Sequence, residues 1–164
     1  MTRKEELPKK VRRGQLRDYP RVNEIAVEEQ NLHVALRPDL FSIKPEMVTL
    51  SDYQQWVKEK RIYVLEVDKQ VRAFVLYTLK KLQPGIHQEN RVMFITGFAV
   101  SKEFRRCGIG RTLMNSLVER ARKLKCQRLE LQLISANKAA CAFYQNLAFS
   151  EKAKIMELKL EREF

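Results

Sequence analysis

Hydrophobic positions along this chain change their period several times, and each change marks an element. Residues 9–13 and 61–67 read as strands, and residues 71–79 follow the second across the polar turn Asp68-Lys69-Gln70, which predicts a hairpin. Residues 91–100 are almost continuously apolar, the pattern of a strand buried on both faces in the middle of a sheet. Beyond them Ile109, Leu113, Leu117, Ala121 and Leu124 recur at helical spacing, predicting an amphipathic helix to about Lys125. Leu129, Leu131 and Leu133 then alternate with Glu130 and Gln132 as in a strand, and residues 137–147 return to helical spacing. Residues 155–160 read as a strand that completes the sheet, with room after Phe149 for one strand or two.

The first third of the chain supplies two helices. Asp18 reads as the N-cap of one that runs to about Asn31, with Pro20 tolerated in its first turn. Ser51-Asp52-Tyr53-Gln54 reads as a capping box for the other, whose Tyr53, Trp56 and Val57 share a face. Residues 82–90, with Pro84-Gly85, read as a loop. Strand, helix, strand, helix, strand in the second half calls for a parallel pair with right-handed crossovers. The fold class is α/β (α+β), a mixed central sheet with about four helices in one domain over residues 1–164, with residues 1–8 a basic tail.

Composition narrows the class. A chain of 164 residues, 45% hydrophobic and 32% charged, suits one soluble domain. No apolar stretch approaches the roughly 18 residues of a membrane span, and the start Met-Thr-Arg-Lys-Glu-Glu lacks the apolar core of a secretory signal, so a cytoplasmic protein is expected. Cys107, Cys126 and Cys141 show no C-x-x-C spacing, and His33 and His87 are the only histidines, so neither a disulfide framework nor a metal site is expected.

The net charge of +12 falls in two blocks: +5 within residues 1–21 and +7 within residues 102–128, the rest being neutral. The first block reads as a solvated arm or as a surface for an acidic partner or nucleic acid. The second coincides with the junction after the apolar strand. There, Phe98-Ala99-Val100 ends the strand and Arg105-x-x-Gly108-x-Gly110 opens directly into the helix. Glycines without a Cβ and the unpaired N–H groups of a helix start suit a bound pyrophosphate, and Arg105, Arg106 and Arg111 add positive charge.

Further along stands Asn137-Lys-Ala-Ala-Cys-Ala-Phe-Tyr-Gln-Asn-Leu-Ala-Phe149. The two elements, in this order, resemble the cofactor-binding elements of the GNAT superfamily of acetyl-CoA-dependent N-acetyltransferases, and the resemblance covers most of the chain. It implies a GNAT fold with a sheet of about six to seven strands, two of which splay apart around the pantetheine arm. It also implies acetyl-CoA as the acetyl donor, held by Phe98, Ala99, Val100, Arg105, Arg106, Cys107, Gly108, Ile109, Gly110, Arg111, Asn137, Phe143 and Tyr144. The family's usual Gly at the end of the second element is Ala148 here, where a left-handed residue costs an Ala about 1 kcal/mol more than a Gly.

The implied chemistry is direct transfer of an acetyl group to a primary amine of a small molecule or a protein, by a monomer or homodimer. Tyr144 is the candidate general acid for the departing thiolate. No base stands in the middle of the central strand, and Gln132 takes the place where one subgroup of the family carries a Glu. Glu130 and Glu89 are therefore the candidate bases, acting through water. Tyr53, Trp56 and His87 are candidate walls of the acceptor pocket. The alternative to an enzyme is a non-catalytic acyl-CoA-binding or nucleic-acid-associated module of the same fold.

Overall fold

The structure is a computed structural model that describes residues 7–86 and 91–160. Its strands are β1 (Lys9–Arg13), β2 (Ile62–Val67), β3 (Gln70–Lys81), β4 (Arg91–Val100) and β5 (Arg128–Leu131). Its helices are α1 (Tyr19–Leu36), α2 (Leu50–Lys58), α3 (Ile109–Lys123) and α4 (Lys138–Asn146). The strands lie in sequence order in one sheet, antiparallel up to β4 and parallel between β4 and β5. Helices cover both faces, which is why β2 is apolar on both: Ile62 and Val64 pack toward α1 and α2, Leu65 and Val67 toward α3 and α4.

Several local expectations shift. The β2–β3 turn is Asp68-Lys69, both at positive φ (51° and 61°) as a tight two-residue hairpin turn requires, and Gln70 already pairs with Val67. α1 runs past Asn31 to Leu36, and the side chain of Asp18 does not cap it, because that carboxylate is held by Arg12 and by the N–H of Gln15 instead. α2 is capped by Thr49 and not Ser51. Thr49 Oγ1 accepts from the Asp52 N–H at 3.1 Å and donates to the Asp52 carboxylate at 2.8 Å, and this frame places Tyr53 in the core.

Among the described residues the sheet has five strands, where six or seven were expected. β5 ends at Leu131, leaving Leu133 outside it at 40% exposure. Residues 155–160 take no place in the sheet, and Ile155, Met156, Leu158 and Leu160 are each at least 80% exposed. Charge, not strand pairing, ties this segment down: Lys152 pairs with Glu130, and Glu157 pairs with Arg37 just past α1.

Arg12 is the polar hub at this end of the sheet. It bonds Asp18 at 2.7 and 2.9 Å and Glu66 at 2.8 Å through Nε, and the three side chains are 14%, 5% and 15% exposed. Burial works against ionisation of Asp18, but Arg12 and the Gln15 N–H outweigh it and hold the carboxyl below its ordinary range. That contribution is complete above the ordinary aspartate range and disappears as pH falls through the lowered value. Arg12→Leu should cost about 3–5 kcal/mol near neutral pH, because it strands a buried charge. Urea melts across pH should show this cost shrinking in acid, where a neutral Asp18 needs no cation.

Candidate active site

β3 accompanies β4 along its whole length, whereas β5 pairs only with residues 92–95. Along residues 96–100 the other edge of β4 has no strand beside it among the described residues, so the sheet opens there. The register against β3 slips at the same place. Leu76 faces Gly97 while Tyr77 faces Ile95, leaving Thr96 as an extra residue whose hydroxyl donates to the Leu76 carbonyl at 3.3 Å. Such a bulge re-aims the strand. As a result Ile95 and Phe98, three residues apart, both pack toward α3 and α4.

β4 leads through a 3-10 turn at Lys102–Phe104 to Gly108, the left-handed N-cap of α3 (φ 76°). The Cβ position of Gly108 meets only Lys9 Nζ, at 4.0 Å, so a ligand can approach the backbone. The first helical N–H groups follow at once, and the N–H of Thr112 is the first to return to the Gly108 carbonyl, at 3.1 Å. Exposed Arg106 (φ 61°) and Arg111 flank the spot. A pyrophosphate fits this geometry, with N–H donors, the positive end of a helix and mobile cations converging on open space. Lys9 belongs to the same site. Sequence reasoning gave it to the first strand and the N-terminal basic block, because nothing along the chain shows that β1 starts beside α3.

The other residues of the motif do different work. Arg105 does not join the cations over the helix start: its Nε donates to the Val100 carbonyl at 3.2 Å, and Nη2 lies 3.5 Å from Glu29 of α1. The Cys107 thiol donates to the Arg105 carbonyl at 3.5 Å, and Ile109 is core. Gly110 serves packing, because a Cβ there would stand 3.0 Å from the Phe143 ring, so its absence lets α4 close against α3.

That contact fixes Tyr144. Its ring is buried among Phe98, Phe143 and Phe149, with centroids 6.2, 5.1 and 5.4 Å away. Burial first, and the charge of Glu29 second, push the phenol above its ordinary range, so it keeps its proton at any working pH. Asn137 caps α4, accepting from the Ala140 N–H at 3.1 Å, and so orients the helix that carries Tyr144. At the far end Ala148 does take the left-handed conformation (φ 65°), and the strain of about 1 kcal/mol is tolerated. The Phe149 N–H then returns to the Tyr144 carbonyl at 3.0 Å.

The remaining candidates fare less well. Glu130 is engaged by Lys152. Glu89 and His87 lie outside the described residues. Tyr53 is fully buried, its hydroxyl donating to the Gln15 carbonyl at 3.1 Å, so it is core and not a pocket wall, and half-buried Trp56 packs against the same cluster. Glu29 is the residue that sequence reasoning missed. The signal was a carboxylate continuing the inward stripe of Val22 and Ile25, with His33 one turn further on. No described helix is long and apolar enough to cross a membrane, and among the described residues no three His, Cys, Asp or Glu side chains group as metal ligands.

A sheet that opens beside a bulged central strand, with an anion-binding helix start at that strand's end, is the frame of an acetyltransferase. The acetyltransferase (GNAT) family model matches residues 22–149, and the chain belongs to that family. No curated protein sequence matches it. Among solved structures, it is similar to a single-site mutant of the BH1408 protein from Bacillus halodurans, at 24% identity and TM-score 0.83, over 93% of this chain and 99% of that one. It is also similar to glucosamine-6-phosphate N-acetyltransferase from Arabidopsis thaliana, at 18% identity and TM-score 0.65, over 94% and 99% of the two chains. An aminoglycoside N-acetyltransferase in complex with CoA matches at 13% identity and TM-score 0.65, over 95% and 97%. At these identities the structural likeness establishes the fold.

Proposed function

We propose that this GNAT acetyltransferase transfers an acetyl group from acetyl-CoA directly to a primary amine, on a small molecule or a protein, in the cytoplasm. One observation carries the reading: the edge of β4 that β5 leaves open runs to the loop entering α3, and Phe98 on that stretch packs against the buried ring of Tyr144. Acetyl-CoA supplies a thioester whose acetyl carbon an amine can attack, with coenzyme A as product. The N–H groups at the start of α3, with Lys9, Arg106 and Arg111, hold the pyrophosphate. Residues 98–100 offer backbone groups to the pantetheine as an added strand would. Tyr144 donates its proton to the departing sulfur. Much of the rate enhancement comes from holding two reactants in one cleft.

Mass spectrometry of an amine panel incubated with the protein and acetyl-CoA tests the reading. An acetylated amine formed at a rate proportional to enzyme is the expected result. Turnover of none, together with a thermal shift caused by RNA or DNA that falls steeply with salt, would replace it by the nucleic-acid-associated reading of the +12 charge.

A further inference from the structure

α1 is clamped over the end of β4. Arg21 donates through Nε to the Val71 carbonyl at 3.2 Å and through Nη2 to Ser101 Oγ at 2.9 Å, and Glu28 accepts from the Lys102 N–H at 2.7 Å. The next residue, Glu29, is thereby held at the loop. Its Oε2 lies 3.5 Å from Arg105 Nη2, and its Oε1 lies 3.5 Å from His33 Nε2. Neither contact is a hydrogen bond, and the Glu29 carboxylate makes none among the described residues.

The other covered carboxylates differ. Asp18 is bonded by Arg12 and by the Gln15 N–H, and Glu130 is bonded by Lys152. A carboxylate that sits between Arg105 and the His33 ring and bonds neither keeps its lone pairs uncommitted. Arg105 Nη2 is in the same condition, buried and without a hydrogen-bond partner. The groups beside Glu29 are His33 on its own helix and Arg105 from the loop before α3, and its charge also helps to raise the phenol of Tyr144 on α4. Burial raises Glu29 above the ordinary glutamate range, against the lowering pull of His33 and Arg105. α1 belongs to the helix layer on one face of the sheet and Tyr144 to the layer on the other. Arg105 Nε donates to the Val100 carbonyl at 3.2 Å while its Nη2 lies 3.5 Å from Glu29, so the carboxylate stands at the end of the opening along residues 96–100.

We propose that Glu29 takes the proton from the ammonium group of the amine acceptor, with His33 as a positioning residue that holds the carboxylate beside the opening. This rests on the reading that the chain acetylates amines. In the step, one N–H bond of the ammonium breaks and its electron pair stays on nitrogen as the nucleophile. The proton moves to a Glu29 oxygen and is later released to solvent.

Plots of log kcat/KM against pH test the assignment, using whichever alkyl amine the wild type accepts and an aromatic amine that is neutral already. With the alkyl amine the wild type should level off above the pH at which Glu29 ionises. Glu29→Gln should keep climbing to the amine's own pKa and lie about 10²–10⁴-fold lower at neutral pH. The aromatic amine should lose about threefold at most. His33→Gln should keep the plateau but move its onset to higher pH, because His33 lowers Glu29. Two measurements stand apart from turnover: the Kd of acetyl-CoA by calorimetry should not move in Glu29→Gln, and that variant should lack one ¹³C-glutamate resonance that titrates above the ordinary range in the wild type. If Glu29→Gln melts early, Glu29→Asp serves instead, retaining a lower plateau. Equal losses with both amines, or an unchanged profile, would overturn the role of Glu29 while acetyl transfer stands. A wild type that acetylates no amine would overturn the underlying reading and this proposal with it.

Discussion

Replacing Gly108 by Val should abolish the stabilisation that acetyl-CoA gives the folded protein. At a ligand concentration about 100 times Kd, mass action contributes about 2.7 kcal/mol, which for a domain of this size is about 5–10 °C in a thermal melt. Gly108 sits at φ 76°, where an L-residue costs roughly 1–2 kcal/mol and a β-branched one more. Against a typical stability of about 5–15 kcal/mol the fold survives, but the loop relaxes toward negative φ and turns the first N–H groups of α3 away from a common point. Gly108→Asn separates the two contributions. Asn tolerates the left-handed conformation but fills the open space beside Lys9 Nζ, so a shift retained in Asn and lost in Val would assign the loss to strain. Removing Arg106 or Arg111 should weaken the shift without abolishing it, since the backbone donors remain. A full shift in Gly108→Val would sink the phosphate loop as the binding element.

How far this site was legible depends on whether a residue's role is local. β4 was read with its correct ends because a strand covered on both faces must be apolar throughout. The glycine turn that opens into α3 was legible for the same reason, since it is a conformational demand met within a few residues. Residues 155–160 misled because an apolar run looks the same whether or not a neighbouring strand receives it, and here the segment is anchored by Lys152 and Glu157 instead. Lys9, Arg105 and Glu29 could not be placed from spacing at all. Lys9 reaches the loop only because β1 pairs with β2 at the end of the sheet where α3 begins, and Arg105 turns inward only because α1 brings a carboxylate to it. Roles that arise where distant segments converge leave at most a faint mark, such as a charged residue on an inward-facing stripe.

Tyr144→Phe should lower kcat about 10²-fold while leaving the KM for acetyl-CoA within a few-fold, because the substitution removes a hydroxyl and keeps the ring that packs on Phe98, Phe143 and Phe149. A thiolate is a good leaving group, so the proton counts mainly in the transition state, and its loss belongs in kcat. The pH profile adds a check whose sign follows from the environment. In the proposed role the acid form of Tyr144 is the active one, and burial together with Glu29 raises its pKa, so the wild-type kcat should not fall on account of this group until well above the ordinary tyrosine range. Glu29→Gln removes the charge that helps to raise it, and should bring any such fall to lower pH. Melting temperatures of the Phe variant within a degree or two of wild type would show that the core is intact. An unchanged kcat, with chemistry shown to be the slow step, would remove Tyr144 from the mechanism and leave the thiolate to depart without a proton from this chain.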